Sequence, residues 1–410
     1  MKRIFAMILA MVFTAGLLAG CSGESDSAGR LLPTVKAGTI GDNVVEGNSR
    51  FAFDIFNAVY SAGNDENVFL SPASISTALA MTMNGAAGNT LREMEEALRL
   101  SGIDKSEINN GFAYLVEMLN RNAKGIEISL ANSVWIREGF EVLESFKKVN
   151  SDYFAAAMEE LDFNSPGARD TINGWVKDNT NGLIESIIDD AIDPATVMFL
   201  INTIYFKGEW AVKFDSENTY EADFRLDDKT TGKVDMMYRK GDTMYYDDGD
   251  YKMISLPYGE GGVSMDLVLP SEGTSMKAFL KSFGYEEYLD ALDGLEERTD
   301  VMISIPKFKT EYEISLRDAL ASLGMKEAFT GACDLSGING TGNLFISDVK
   351  HKTYIDVNEE GTEAAGVTSV EIRLTAIMDP LKFIADRPFL HIIRDTETGT
   401  ILFMGIFDTP

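Results

Sequence analysis

The chain is expected to be an α+β protein with helices early and strands late. Three observations point that way. Past the first fifty residues, stretches with helical spacing of apolar residues crowd into the first third of the sequence. From Glu209 onward, alternating or continuous apolar runs dominate, with few helical stretches between them. No stretch between Ser49 and Pro410 has the composition of a linker, so those residues are read as one domain, in the segregated order of an α+β fold rather than a doubly wound one.

The elements follow in order. "SRFAFDIFNAVYSA" places Phe51, Ile55, Phe56 and Val59 at helical spacing. "SPASISTALAMTMNGAAG" begins with serine then proline, a favoured helix opening, and closes on glycines. "TLREMEEALRL" and "INNGFAYLVEMLNRNA" repeat the helical pattern. The runs "IEISLANSVWI", "VMFLINTIYFKGEW", "KMISLPYG", "VSMDLVLP" and "VMISIPKFKTEYEI" read as strands, rich in β-branched and aromatic residues. "SMKAFLKSFG" and "SLRDALASLG" are the helices expected among them, and "RPFLHIIRDTETGTILFMGIFDTP" is two strands around the turn "DTETGT".

The first residues look like processing signals rather than fold. "MKRIFAMILAMVFTAGLLAGC" runs from Lys2 and Arg3 through an apolar stretch to small residues and Cys21, the order of a secretory signal. "LAGC" resembles a bacterial lipobox, which implies a signal peptide over 1–20 and a lipid-bearing Cys21. Residues 21–48 are mostly small and polar, as suits a tether, leaving 49–410 as the domain. The expected location is exported and lipid-anchored at the bacterial cell surface or extracellular, with membrane contact through Cys21. The other cysteine, Cys333, then has no internal disulfide partner and is read as a packed residue, so the core must hold the fold.

Charge and residue types exclude several function classes. With 36 Lys and Arg against 65 Asp and Glu, the formal charge is -29, and no basic cluster is dense enough to neutralise a phosphate backbone, so nucleic acid is not an expected partner. His351 and His391 are the only histidines, neither lies in an HExxH, and no CxxC occurs, so neither a metal nor another cofactor is expected. No GxSxG elbow supplies a nucleophile, and "GEGG" and "NGTGN" lack the spacing and lysine of a phosphate loop. An enzyme is not expected.

"EEGTEAAGVTSVEIRLTAIMDP", residues 359–380, has a strand's alternation inside a loop's punctuation. In its middle, Thr362, Ala364, Gly366, Thr368, Val370, Ile372 and Leu374 form one set; Glu363, Ala365, Val367, Ser369, Glu371, Arg373 and Thr375 form the other and hold every charge between Thr362 and Thr375. By itself the pattern fits a sheet strand or a hairpin arm.

Four separated stretches in order resemble the serpin family over essentially everything after the tether: "NVFLSPASISTALAMTMNGAAGNT" from Asn67, "INTIYFKGEWAVKFD" from Ile201, "ISDVKHKTYIDVNEEGTEAAG" from Ile346, and "DRPFLHIIRDTETGTILFMGIFDTP" at the end. The resemblance implies about nine helices around three β-sheets, with 359–380 as an exposed reactive-centre loop on a metastable fold. It implies a suicide-type inhibitor: a target serine protease attacks the loop, and the cleaved loop inserts into the central sheet while the enzyme is still attached as an acyl complex. A monomer is expected.

Further roles come from the same resemblance. The hinge comprises Glu359, Glu360, Gly361, Thr362, Glu363, Ala364, Ala365 and Gly366. Val367 is larger than the alanine often found there, but its parity is outward. Ser71, Ser74, Asn202 and His351 match the polar shutter beneath the central sheet, and Trp210 the tryptophan where the hinge enters. His391 departs from the aromatic or aliphatic residue expected in "RPFLHII" and is given no role. Counting about fourteen residues from Gly361 places the scissile bond at Thr375–Ala376, with Leu374–Thr375 as the alternative. Either suits an elastase-like or subtilisin-like protease; Arg373 would suit a trypsin-like one only after a shift of two. The other family reading is a non-inhibitory binding or chaperone-like module, whose hinges often carry bulky or charged residues.

Overall fold

The computed structural model describes residues 32–33, 41–63, 67–120, 122–362 and 381–410. The chain begins with α1 (Asp42–Ala62), β1 (Val68–Leu70), α2 (Pro72–Met83), α3 (Gly88–Ala97), α4 (Lys105–Met118), β2 (Asn122–Ala123), β3 (Ile126–Arg137), α5 (Glu144–Phe154), β4 (Ala157–Leu161) and α6 (Ala168–Asn179). Strands then take over: β5 (Met198–Glu209), β6 (Tyr220–Arg225), β7 (Thr231–Asp247), β8 (Tyr251–Pro257) and β9 (Val263–Pro270). After α7 (Met276–Phe279) and α8 (Tyr285–Asp293) come β10 (Glu296–Pro306), β11 (Phe308–Ser315), α9 (Arg317–Ser322) and α10 (Ser336–Asn339). The last elements are β12 (Lys350–Asn358), β13 (Gly361–Thr362), β14 (Lys382–Ile384), β15 (Phe389–Asp395) and β16 (Ile401–Phe407).

The described strands form two hydrogen-bonded sheets where the resemblance implies three. One has the order β11-β12-β13-β5-β3-β2, with β4 on β3; the other runs β1-β16-β15-β9-β8-β7-β10-β14, with β6 on β7. The long strand β7 accounts for the difference. Its first part pairs with β6 and its last residues, Met244–Asp247, pair with β8, so one continuous backbone joins two ladders. Its partner β10 crosses the same junction with a bulge between Arg298 and Val301. Ten α-helices are described, of which α7 and α10 are four-residue turns.

Three boundaries differ most from expectation, one of them the helix over "INNGFAYLVEMLNRNA", which ends at Met118 before β2. Helix α1 starts at Asp42, inside the expected tether, because Val44 continues the apolar stripe of Phe51, Ile55 and Val59 and is buried against Gly111 of α4. Gly47 and Asn48, poor helix formers that disguise the pattern, are buried with it. The helix expected over "SMKAFLKSFG" contracts to Met276–Phe279. The signal peptide, Cys21 and most of the tether lie outside the described residues.

Helix α2 sits between the sheets, packed on β5 and β16. Its Ser71 side chain caps the helix by accepting from the Ser74 amide at 3.3 Å, Pro72 occupies the first turn, and nearly every side chain is buried. His391 lies in the adjoining core with its ring 5.6 Å from Phe69 and 5.1 Å from Phe308, and Gly405 leaves room for it: a Cβ there would stand 2.5 Å from His391 Cε1. The imidazole fills an aromatic position, which is why the sequence tolerates it. Its Nδ1 has no hydrogen-bond partner among the described residues, and burial pushes its pKa down to about 3.

Burial depresses His351 to about 3 as well. Both histidines are therefore neutral in the fold and gain protons on unfolding near an ordinary pKa of about 6.5. Their contribution to stability is complete above that value and falls as pH drops toward 3, by roughly 1.4 kcal/mol per pH unit for each. Urea unfolding of His391→Leu should show a slope between pH 6 and pH 4 shallower than the parent's by about 1.4 kcal/mol per unit. An unchanged slope would mean that His391 is not held neutral.

Candidate functional site

The site is built where β12 turns back on itself. Glu359 and Glu360 form the turn, with the Glu360 amide donating to Asn358 Oδ1 at 3.0 Å, and the chain returns as β13. On one side Thr362 pairs with Val357 and Gly361 with Asn358; on the other Gly361 pairs with Glu209 and Thr362 with Gly208. A two-residue strand has thus entered between β12 and β5.

Several contacts hold the turn. The Trp210 amide donates to Glu360 O and the Phe214 amide to Glu359 O, each at 2.9 Å, and Trp210 Nε1 donates to Asn358 O at 2.9 Å. Lys213 Nζ lies 2.6 Å from Glu360 and 3.1 Å from Glu209. Glu359 receives a 2.7 Å hydrogen bond from Thr219 Oγ1 and pairs with Lys307 Nζ at 3.0 Å. Burial alone would raise the Glu359 carboxyl, but these partners outweigh it and hold the group below the usual carboxylate range.

Gly361 is required by the approach of β5. Its φ is 149°, and a Cβ there would meet Gly208 O at 2.0 Å and Glu209 Cα at 2.7 Å. Thr362 points inward, 2% exposed, with Oγ1 2.7 Å from Tyr258 Oη. This is the parity expected for the uncharged set at its first position. Tyr258 is fully buried, stacked on Trp210 at 4.5 Å with 12° between planes, and meets Phe206 edge-on at 5.1 Å. The other hinge positions, Glu363, Ala364, Ala365 and Gly366, and the candidate reactive residues Leu374, Thr375 and Ala376 lie outside the described residues.

Below the hinge the central sheet divides. Among the described residues no ladder joins β5 directly to β12, and where β13 lies between them they are two strand spacings apart, about 9.5 Å. At the far end of the same two strands lies a groove of about 230 Å³, walled by residues 197–202 on one side and 344–351 on the other, with α2 as its floor. Met198, Phe199 and Leu200 are only partly buried on an otherwise central strand.

The four expected shutter residues meet at that floor. Ser74 Oγ donates to Asn202 Oδ1, tying β5 to α2. His351 Nε2 accepts from the Ser71 amide at 3.0 Å, tying β12 to the same helix start. Ser71 Oγ donates to Leu402 O at 2.8 Å, so the other sheet is tied there too. Sequence reasoning missed the outer members: Asn132, which accepts from Asn202 Nδ2 at 2.6 Å and donates to Phe154 O at 2.6 Å, and Thr353, which donates to Phe69 O at 2.6 Å. It also missed Tyr258, Lys213, Thr219 and Lys307 around the hinge. Polar residues facing inward from strand-like runs, as in "ISLANSV" and "KTYIDV", are the signal that could have found the first two.

The arrangement can receive a strand. Both walls are bonded to α2, and among the described residues no ladder joins β5 to β12 that widening of the sheet would break. Cys333 is buried and its thiol is pushed up to about 11 by burial, which makes it a packing group rather than a nucleophile.

Comparison with known proteins agrees with this geometry. The family model described as Serpin (serine protease inhibitor) matches residues 46–410. The chain is 37% identical over 377 residues to the leukocyte elastase inhibitor of Bos taurus, covering 88% of this chain and 98% of that protein. It is 37% identical over 392 residues to an uncharacterized serpin-like protein of Thermococcus kodakarensis, covering 92% and 89%. Among solved structures, the thermophilic serpin tengpin in its native state superposes with a TM-score of 0.84 at 32% identity, covering 92% of this chain and 97% of that one. Thyroxine-binding globulin in complex with thyroxine superposes with a TM-score of 0.80 at 28% identity, covering 90% and 99%.

The hinge geometry can be tested without a protease. Gly361→Ala should unseat β13, because the added carbon meets a carbonyl oxygen that belongs to the sheet. Hydrogen exchange at the Trp210 and Phe214 amides, which donate into the turn, should speed up by about tenfold or more, the equivalent of ~1.4 kcal/mol of lost protection. Unchanged exchange would show that the turn does not depend on the glycine.

Proposed function

The chain belongs to the serpin family, and we propose that it is a suicide-type inhibitor of serine proteases that traps its target by inserting the cleaved reactive loop between β5 and β12. The observation that carries this reading is the seated hinge: Gly361 and Thr362 already pair with both β12 and β5, and a groove lies between the far ends of the same two strands. A segment entering in register would follow Thr362 downward.

In the proposed sequence the protease serine attacks the carbonyl of Thr375, or of Leu374 on the alternative count. An ester forms to that residue, and the amide nitrogen of the next residue leaves as a free amine with the proton delivered by the protease's own base. Insertion then competes with hydrolysis of the ester. The uncharged set from Thr362 to Leu374 favours insertion, since full burial of Val370, Ile372 and Leu374 contributes roughly 1.5–3 kcal/mol apiece. Each new ladder hydrogen bond adds about 0.5–1.5 kcal/mol. A one-residue slip would instead bury Glu363, Glu371 and Arg373, each costing several kcal/mol.

A small or apolar residue at the reactive bond favours an elastase-like or subtilisin-like target, and the name of the bovine relative supports the same class. A non-inhibitory binding role on the same fold is the other reading; the small hinge residues of this sequence weigh against it. The protein is further proposed to act as a monomer, exported and lipid-anchored through Cys21, a surface inhibitor rather than an enzyme.

Mature protein incubated separately with neutrophil elastase, subtilisin and trypsin should give a complex that survives denaturation with at least one of the first two, together with a C-terminal peptide starting at Ala376. Cleavage without a complex would favour the non-inhibitory reading. Thr362→Arg should convert the inhibitor into a substrate, because the first inserted side chain would have to bury a cation where a neutral hydroxyl fits. Trapping by that variant at the parent's stoichiometry would refute the parity argument.

A further inference from the structure

We propose that Tyr258 is a positioning residue that sets how far the hinge is seated, through the bond between its hydroxyl and that of Thr362. This rests on the inhibitor reading for its consequence, though not for its geometry. Tyr258 Oη lies 2.7 Å from Thr362 Oγ1, and no other hydrogen-bond partner of that hydroxyl is found among the described residues.

The ring cannot follow the hinge if the hinge moves. Tyr258 stacks on Trp210 and packs so closely over Gly208 that a Cβ there would come within 2.6 Å of the ring. Its backbone is fixed from the second sheet: the Tyr258 amide donates to Val263 O at 2.9 Å, closing the turn at the end of β8. Next to it, the Gly259 amide donates to Glu209 O at 2.7 Å and the Ala211 amide to Pro257 O at 2.9 Å, so the end of β8 is bonded across to β5.

Withdrawal of Thr362 would therefore strand a hydroxyl in an aromatic pocket. Burying a hydroxyl without a partner is unfavourable, so the fixed tyrosine biases the hinge toward the seated position. Any residue replacing Thr362 keeps that bias only if it presents a hydroxyl. The same bond would govern the first step of insertion, since the hinge is where the loop begins to enter.

The test is a double-mutant cycle on the full mature protein with Tyr258→Phe and Thr362→Val, plus Thr362→Ser as the variant that keeps the hydroxyl. Hydrogen exchange at the Trp210 and Phe214 amides, which donate to Glu360 O and Glu359 O, reads hinge seating without a protease. Each single variant should speed exchange by about tenfold, the double variant no more than either single, and Thr362→Ser should stay within about twofold of the parent. Additive effects, unchanged exchange in Tyr258→Phe, or a serine variant that behaves like valine would overturn the proposal. Trapping of an elastase-like protease is measured on the same proteins. Non-additive exchange in a protein that never traps would uphold the role of Tyr258 and remove the inhibitor reading; trapping with additive exchange would do the reverse.

Discussion

Both walls of the central groove hang from one turn of helix. Asn202 on β5 bonds to Ser74, and His351 on β12 bonds to the Ser71 amide, three residues earlier on the same helix start. Ser71 in turn holds Leu402 of the second sheet. The bond from His351 is possible because burial keeps the imidazole neutral and able to accept. An ordinary sheet would hold β5 and β12 by a ladder between them, and separating them would cost every bond in it. Here each strand has its own anchor to α2, the arrangement that the proposed insertion requires.

The upper end solves a different problem: it must stay ordered and still let the chain enter. Charged groups around the turn are each paired with a lysine, Glu359 with Lys307 and Glu360 with Lys213, while the side chain that meets the Tyr258 ring is a neutral threonine. Gly361 brings the returning chain within reach of β5 where any side chain would meet Gly208 O. Polar anchoring on the rim and small uncharged residues on the inner face are the two properties a strand-accepting site needs, and both follow from residue choice over four positions.

Much of this was legible in the sequence. The alternation after Gly361 predicted an inward threonine, and Thr362 is inward; the expected shutter residues do meet; Trp210 does lie at the entry. These are period-2 and motif signals, which survive in a single sequence. Less legible were contacts between distant segments. Tyr258 follows a strand that reads as ordinary, and nothing in "KMISLPYG" announces a partner 104 positions away. Asn132 and Thr353 share the inward parity of their strand-like runs, so their burial was legible, but their partners on distant segments were not. The start of α1 was hidden by Gly47 and Asn48, whose poor helix propensity is overridden by packing of Val44. The count of sheets depends on whether one long strand is divided at its bend, which periodicity does not reveal.

Under the proposed function, the intact fold holds a place for one more strand and is not at its most stable until that strand is in. The direct measurement is the thermal unfolding midpoint of the intact protein against the same protein nicked once in the reactive loop, with both fragments retained. Three apolar side chains and a new pair of ladders amount to about 10 kcal/mol or more. At about 1–2 °C per kcal/mol for a domain of this size the nicked form should unfold ~10 °C or more above the intact one. A nicked form that melts at or below the intact temperature would contradict the account, because the groove between β5 and β12 would then not be a place for the loop.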